Sequence, residues 1–162
     1  MNKRIASELK RIASGLVSSG EVANTDGEYK NFTGTIDWKG SNGRVRGATF
    51  ELARYGIVWE YGVWEGGLWE GGLWENGTWE KGEWWGGTWK DGVWKRGVWE
   101  DGVWEDGLWK DGTWQDGEWN GGTWKDGYWK DGWWQGGIWE DGRWDRGRDK
   151  RGVKRTDSPD NW

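Results

Sequence analysis

Apolar residues follow two different periods in this chain, one near the N-terminus and one over most of the remaining sequence. From Trp59 to Trp144 a tryptophan recurs at every fifth residue without exception. From Gly62 onward a glycine stands two residues before the next tryptophan, and Gly147 continues this register. The repeating unit is therefore Gly-x-Trp-x-x. A period of five with this regularity predicts a repeat architecture, either a solenoid or a meander of short strands.

The N-terminal segment has a helical period instead. Ile5, Leu9, Ile12 and Leu16 are spaced by four, three and four residues, which predicts one amphipathic α-helix over residues 1–18. An isolated helix of this length is marginal in water, so its apolar stripe needs a surface to lie on. Two interpretations stay open: the helix caps the open end of the repeat core, or it docks onto another protein. A membrane surface fits less well, because the stripe lacks aromatic residues and the polar face is mixed in charge.

Composition divides the rest of the chain. Residues 19–42 are rich in Ser, Gly, Asn and acidic residues and are predicted to be a linker and entry segment. Degenerate five-residue units begin at Gly43, Ala48 and Ala53, and a step of four then leads into the tryptophan array. We predict one repeat domain over residues 43–147, with the four-residue step as a shortened corner. Residues 148–162 are predicted to be a charged tail.

Two of the degenerate units have a recognisable pattern. Ala48-Thr-Phe50-Glu-Leu and Ala53-Arg-Tyr55-Gly-Ile resemble the pentapeptide-repeat family, whose pattern is a small residue, a polar residue, Leu or Phe, and two variable residues. The later units share the spacing, with Gly in place of Ala and Trp in place of Leu. This resemblance implies an all-β fold, a right-handed quadrilateral β-solenoid with four five-residue repeats per coil. It also implies that the central apolar residue and the small residue two positions before it both point inward.

Four repeats per coil would stack positions that are twenty residues apart. Lys90, Lys110 and Lys130 would then share one column, each followed by an aspartate that offsets the stacked positive charge. The competing geometry is an antiparallel meander, in which Asp-Gly or Gly-Gly pairs make two-residue turns between three-residue strands. Strands that short are poor candidates for a stable sheet, so we favour the solenoid.

The pairing of Gly with Trp has a packing reason. Residues two apart on an extended segment face the same side, so each glycine leaves room on the tryptophan face for an indole. The same glycines follow Asp, Asn or Gly at many repeats, where they can make a corner with positive φ. The predicted structural core consists of Trp59, Trp64, Trp69, Trp74, Trp79, Trp84, Trp89, Trp94, Trp99, Trp104, Trp109, Trp114, Trp119, Trp124, Trp129, Trp134, Trp139 and Trp144.

The residue inventory removes most catalytic chemistry. The chain has no His and no Cys, which excludes disulfides, thiol nucleophiles, imidazole bases and the usual transition-metal ligands. The spacing of Asp and Glu follows the repeat, so no catalytic, cofactor-binding or metal-binding residue is predicted and we expect no enzyme activity. Residues 57–147 contain 9 basic and 19 acidic side chains, which argues against direct nucleic acid contact along the array.

Localisation is predicted only from what the sequence lacks. No run of about 18 apolar residues predicts a membrane-spanning helix, so we expect no membrane insertion. Charged residues interrupt the N-terminal apolar pattern, unlike a secretory signal. We therefore expect a protein made in the cytoplasm without a signal peptide.

Four tryptophans stand outside the array register: Trp38, Trp85, Trp133 and Trp162. Trp85 and Trp133 occupy positions that should face solvent, either without a role or as contacts for a protein partner or a sugar. Because twenty-residue coils put them on different columns, a single sugar-binding patch is disfavoured. Trp162 ends the tail, which is either solvated or a short docking segment anchored by this ring. The predicted partner contacts are Ile5, Leu9, Ile12, Leu16, Trp85, Trp133 and Trp162.

These features predict a non-enzymatic structural or interaction protein, a β-solenoid rod carried by its N-terminal helix into a larger assembly, with homo-oligomers possible. The opening Lys3-Arg-Ile-Ala-Ser-Glu-Leu-Lys-Arg-Ile-Ala-Ser is similar to the leader of small structural proteins of large tailed bacteriophages. That similarity implies a virion component that decorates or stabilises a capsid, with phage structural proteins as partners. Two alternatives remain: an acidic DNA mimic that regulates a topoisomerase, as pentapeptide-repeat proteins do, and a glycan-binding adhesin.

Overall fold

The computed structural model describes residues 35–40, 43–53, 56–69 and 71–162, with side chains from residue 58 onward. The predicted helix over residues 1–18, with Ile5, Leu9, Ile12 and Leu16, lies outside the described residues. Within them the protein is all-β, with 21 strands and one short 3-10 helix, Pro159–Asn161.

The first three strands are antiparallel. Strand β1 (Thr35–Gly40) pairs with β2 (Gly43–Ala53), and β2 pairs with β3 (Gly56–Gly66). Residues 43–53 were expected to form degenerate repeats of the solenoid. They instead form a strand antiparallel to β3, and parallel stacking begins only in β3. Among the described residues the first glycine with positive φ is Gly62. The small residue at the matching position in β2 is Ala48, which cannot adopt that conformation without strain, so β2 lacks a comparable corner.

From β3 onward the chain winds as a β-solenoid, as predicted, and each coil contributes one short strand to each of three faces. Face A contains the first part of β3, β5 (Leu73–Trp74), β8 (Thr88–Trp89), β11 (Val103–Trp104), β14 (Glu118–Trp119), β17 (Trp133–Trp134) and β20 (Gly147–Asp149). Face B contains the second part of β3, β6 (Thr78–Trp79), β9 (Val93–Trp94), β12 (Leu108–Trp109), β15 (Thr123–Trp124) and β18 (Ile138–Trp139). Face C contains β4 (Leu68–Trp69), β7 (Glu83–Trp84), β10 (Val98–Trp99), β13 (Thr113–Trp114), β16 (Tyr128–Trp129) and β19 (Arg143–Trp144). The last strand, β21 (Lys154–Arg155), returns antiparallel to β20.

The register shows that one coil has three five-residue sides rather than the four that the resemblance implied. Trp99 pairs with Trp84 on one side and with Trp114 on the other, fifteen residues away in each direction. Main-chain hydrogen bonds join successive coils in the same register: the Glu105 N–H donates to the Trp89 carbonyl at 2.8 Å. The predicted twenty-residue columns, such as Lys90 above Lys110, are therefore wrong.

The corners give the physical reason for three sides. A closed triangle turns its chain by 120° at each corner, whereas a square needs only 90°. Gly92 and Gly107, one above the other, have φ of +121° and +115°, a region that residues with a Cβ rarely adopt. A Cβ added to Gly107 would also lie 2.5 Å from the Gly92 carbonyl oxygen. The alanine of the family pattern is therefore excluded here, and glycine permits the sharper corner.

The interior of the solenoid is three parallel stacks of indoles. Within a stack, the rings of successive coils lie one above the other with nearly parallel planes. Trp104 and Trp119, for example, have centroids 4.8 Å apart and an interplanar angle of 6°. Between stacks the rings meet edge to face, as Trp104 and Trp109 do at 5.9 Å and 75°. Of the eighteen predicted core tryptophans fifteen are buried, and Trp64, Trp139 and Trp144 are partly buried against them.

The indole N–H groups fit beside the glycine corners. A Cβ at Gly117 would stand 3.3 Å from the Trp99 Nε1, so the missing side chain makes room for the ring, as the sequence predicts. Fourteen indole N–H groups, from Trp59 to Trp124, have no hydrogen-bond acceptor among the described residues. Edge-to-face contacts between neighbouring indoles place the electropositive rim of one ring against the π face of another, which stabilises the core.

Candidate interaction surfaces

The residue before each tryptophan points outward and forms the central row of its face. On face B this row carries no charge among the described residues. It consists of Val63, Thr78, Val93, Leu108, Thr123 and Ile138. The corresponding row of face A includes Glu118 and Arg148, and that of face C includes Glu83 and Arg143. The three faces therefore differ in surface chemistry although their interiors are alike.

Aspartates at the corners have a structural use. The Asp106 Oδ1 accepts the N–H of the following Gly107 at 2.7 Å, which fixes the corner peptide. Asn76 makes the same bond to Gly77 at 2.6 Å. The same bond recurs at Asp91, Asp101, Asp111, Asp116, Asp126, Asp131 and Asp141. Much of the acidity of the array therefore follows from the corner geometry.

Ion pairs connect successive coils along the edges. Lys95 Nζ lies 2.7 Å from Glu80 Oε1, and Lys125 Nζ lies 3.1 Å from Glu140 Oε2. These side chains are a third to a half exposed, so each pair contributes at most about 1 kcal/mol. Their main effect is to balance charge between neighbouring coils.

Asp131 and Arg146 form a further pair, with Nε 2.7 Å from Oδ2. Partial burial raises the pKa of Asp131, but the hydrogen bonds from Arg146 and from the Gly132 N–H outweigh it, and the pKa lies below its ordinary value.

Residues 147–162 pack over part of the C-terminal end of the core. Asp149 pairs with Trp134 in the register of face A, in the place of the next tryptophan, and is buried. Its carboxylate accepts the N–H groups of Arg151 and Val153 at 2.9 and 3.0 Å. It also binds the guanidinium groups of Arg151 and Arg155 at 2.8 and 2.9 Å. The Arg151 hydrogen bond holds the pKa of Asp149 well below its usual range; burial opposes this, and Arg155 and the two N–H groups reinforce it.

Arg155 connects this carboxylate to the last indole stack. Its guanidinium lies 5.2 Å from the ring centroid of Trp162, a cation–π contact. Trp162 in turn packs edge-on against Trp144, with centroids 5.3 Å apart and an angle of 88°. The indole N–H groups of Trp144 and Trp162 donate to the carbonyls of Arg155 and Asp157 at 3.4 and 3.0 Å. Trp162, named above as a docking anchor, thus covers the end of the core.

The two other exposed tryptophans lie on different faces. Trp133 is on face A, with the Arg148 guanidinium 5.6 Å from its ring centroid and the turn at Gly152 beside it. Trp85 follows β7 on face C, is half exposed, and donates its indole N–H to Glu83 at 3.2 Å. The two rings do not form one patch, as predicted. The reason differs from the prediction, because the rings are separated by the three-sided coil and not by twenty-residue columns.

A cleft of about 580 Å³ lies between the last coil and the returning C-terminal segment. Trp139, Trp162 and Ile138 supply its apolar wall, and Lys150, Arg151 and Asp160 its charged side chains. Trp139 ends the face B stack, because Lys154, fifteen residues later, pairs with β20 instead.

The role of Asp149 was missed by sequence reasoning, although a signal was present. Gly147 and Asp149 keep the five-residue register after the tryptophans end at Trp144, and two lysines and two arginines follow Asp149 within six residues. Treating this segment as a charged tail overlooked that the register predicts a buried position for Asp149. A buried carboxylate requires cationic partners, which Arg151 and Arg155 supply.

No group of acidic side chains with metal-binding geometry occurs among the described residues. The described part of the chain also contains no helix with the length and apolar character to cross a membrane. Comparison with known protein families, curated proteins and solved structures found no match.

Proposed function

We propose that the chain is a non-enzymatic structural protein, a rigid β-solenoid subunit of a larger assembly such as a phage virion, which it decorates or stabilises. The observation that carries this proposal is the continuous indole core. Twelve consecutive tryptophans from Trp74 to Trp129 are completely buried, so the interior of these coils is filled with side chains. Function then belongs to the outer surface and the ends.

The packing supports rigidity. Each central indole has two stacked and two edge-to-face aromatic neighbours; for Trp104 these are Trp89 and Trp119, and Trp99 and Trp109. Aromatic pairs in these geometries contribute about 0.5–1.5 kcal/mol each beyond their area burial. Adjacent coils are joined by these indole pairs along the whole array. Bending the rod would therefore disturb many pairs at once.

The C-terminal end of the solenoid is partly covered. An open solenoid end exposes unpaired main-chain groups that can add further strands. Here β21 pairs with β20 at the end of face A, and Trp162 packs against Trp144, whereas β18 and β19 end faces B and C with no further strand partner among the described residues. This cover hinders end-to-end stacking on face A, which suits a subunit that joins its assembly through its sides or its N-terminal segment.

Mass spectrometry of virions tests the assembly role. Particles purified on a density gradient from a lysate containing the chain should retain it at a fixed ratio to the major capsid protein after high-salt washing. Loss of the chain from particles on washing, with the protein recovered free, would contradict the proposal.

The corner aspartates favour one alternative, an acidic DNA mimic that regulates a topoisomerase. Asp111, Asp126 and Asp141 occupy one corner column, fifteen residues apart. Such a column presents repeated negative charge along the rod. Inhibition of DNA gyrase supercoiling by the purified protein, abolished when the three aspartates are replaced by asparagine, would support this alternative over the structural role. Asparagine is the matched change because Asn76 makes the same corner bond.

A further inference from the structure

Face B combines an uncharged central row with opposite charges at the two edges of its middle coils. Glu65, Glu80 and Glu140 stand at other coils of the edge where the strands end. Its central row from Val63 to Ile138 has one residue per coil and runs for about 24 Å, at about 4.8 Å per coil. Two successive strands on this face have the sequence Asp-Gly-x-Trp-Lys, at residues 91–95 and 106–110. Asp91 and Asp106 therefore lie along the edge where the strands begin, and Lys95 and Lys110 along the edge where they end.

We propose that face B is a homodimer interface, in which a second copy of the chain packs face to face with its solenoid axis parallel to that of the first. The two-fold axis then runs along the solenoid, between the central rows. Val93 and Leu108, at the middle of their strands, lie against the same residues of the second copy.

Charge decides between the two possible orientations. A two-fold axis along the solenoid makes facing strands run in opposite directions at the same level. Lys110 of one copy then lies against Asp106 of the other, and Lys95 against Asp91. A two-fold axis along the strands makes facing strands run in the same direction, which opposes lysine to lysine and aspartate to aspartate. Like charges in contact disfavour association, so the parallel arrangement is selected.

The lysine edge contains a charge available for this pairing. Lys95, Lys110 and Lys125 follow one another in a column. The outer two are already paired, because Lys95 donates a hydrogen bond to Glu80 and Lys125 donates one to Glu140. Lys110 has no ion pair within the part of the chain that the structure describes. Across the interface lies Asp106, whose Oδ1 accepts the Gly107 N–H and whose Oδ2 has no hydrogen-bond donor among the described residues.

The size of the face sets the strength of the dimer. Five residues span at most about 16 Å, so the face covers about 400 Å² per copy, or about 800 Å² in total. Stable interfaces bury about 1,200–2,000 Å² and smaller ones are transient. The dimer should therefore be reversible, with an equilibrium visible by sedimentation between micromolar and millimolar concentrations, and weakened by salt.

Charge reversal on the full chain tests the pairing. Lys110→Glu and Asp106→Lys each place like charges in contact twice, because the interface is symmetric, and each should weaken dimerisation about tenfold or more. The double variant restores opposite charges and should recover most of the affinity. Both changes fit the fold. In other repeats Lys81 and Arg96 occupy the corner position that Asp106 has in its own repeat, and a glutamate, Glu80, occupies the position of Lys110 two coils earlier in the same column. Circular dichroism melting checks that each variant is folded.

The face C controls lie at the corner where face C meets face A, away from face B: Lys130 follows a face C strand, and Asp116 stands at the same corner one coil earlier. Lys130→Glu and Asp116→Lys should leave the dimer constant within about twofold. Orientation is tested by Leu108→Cys, since the chain has no cysteine. Oxidation should link two copies through this single position in the parallel dimer, whereas an antiparallel dimer would pair residue 108 with residue 93.

Recovery in the double variant together with the Leu108→Cys link supports the interface. A chain that is monomeric at all concentrations, a double variant weaker than both single ones, or equal loss in the face C controls would overturn it. Monomers would also result if the N-terminal segment covered face B, and the proposal would then be wrong for the intact chain.

Discussion

Asp149 occupies the position directly after Trp134 in the face A column, so a buried carboxylate ends a stack of six indoles. The stack would otherwise present an open ring face to solvent. The carboxylate instead gathers Arg151, Arg155 and two main-chain N–H groups over the end of the core. The charged residues that follow the array are therefore part of its closure.

Replacing Asp149 with asparagine should lower the melting temperature at pH 7, because the variant loses the charge that the two arginines bind. The folded-state pKa of Asp149 is depressed, so its contribution is complete above its unfolded-state pKa of about 3.9 and is lost as the pH falls below that value. The difference between wild type and variant should therefore shrink between pH 5 and pH 3. Circular dichroism melting at several pH values measures it, and a gap of constant size would contradict the argument.

The control for this experiment is Asp126→Asn. Asp126 is an exposed corner residue whose bond to Gly127 an asparagine can replace, as Asn76 shows. This variant should melt close to the wild type at both ends of the pH range.

Replacing Trp104 with alanine should destabilise the fold by about 3–5 kcal/mol, the usual cost of removing a buried tryptophan. Trp104 is fully buried at the centre of the array, between Trp89 and Trp119. Guanidinium titration followed by far-ultraviolet circular dichroism measures the change. The control Trp85→Ala removes a ring that is 50% exposed and should stay within about 0.5 kcal/mol of wild type. Similar losses in both variants would mean that the array does not form a buried core.

The five-residue period predicted the solenoid and the inward position of the tryptophans, because both follow from residues two apart sharing a face. The number of sides could not be predicted in the same way. It depends on the corner angle. The sequence predicts glycine at the corners, but the four sides came only from the family resemblance, and the turn angle at glycines such as Gly92 does not follow from the period. Contacts across the C-terminal end were also beyond the pattern. Trp162 reaches Trp144 only because β21 turns back, and no repeat marks that turn.

Replacing Gly107 with alanine tests the corner geometry. Its φ of +115° is strained for any residue with a Cβ, and the added atom would lie 2.5 Å from the Gly92 carbonyl oxygen. The backbone strain alone costs about 1–3 kcal/mol, and the contact adds to it. Guanidinium unfolding should show a loss of at least this size. Gly71→Ala is the matched control, since its Cβ would be 3.9 Å from the nearest oxygen. A stable Gly107→Ala variant would mean that the coils do not approach each other this closely.

Replacing Asp116 with alanine tests whether the corner carboxylates hold the fold. The Asp116 Oδ1 accepts the Gly117 N–H at 2.7 Å, and the side chain is otherwise exposed. Removing one such bond should cost about 0.5–1.5 kcal/mol. Asp116→Asn keeps an oxygen acceptor in the same place and should lose less than half of that. If the two variants are equally destabilised, charge and not the corner bond is responsible. If neither variant is destabilised, the corner aspartates do not stabilise the fold, and the acidity of the array would need a functional explanation.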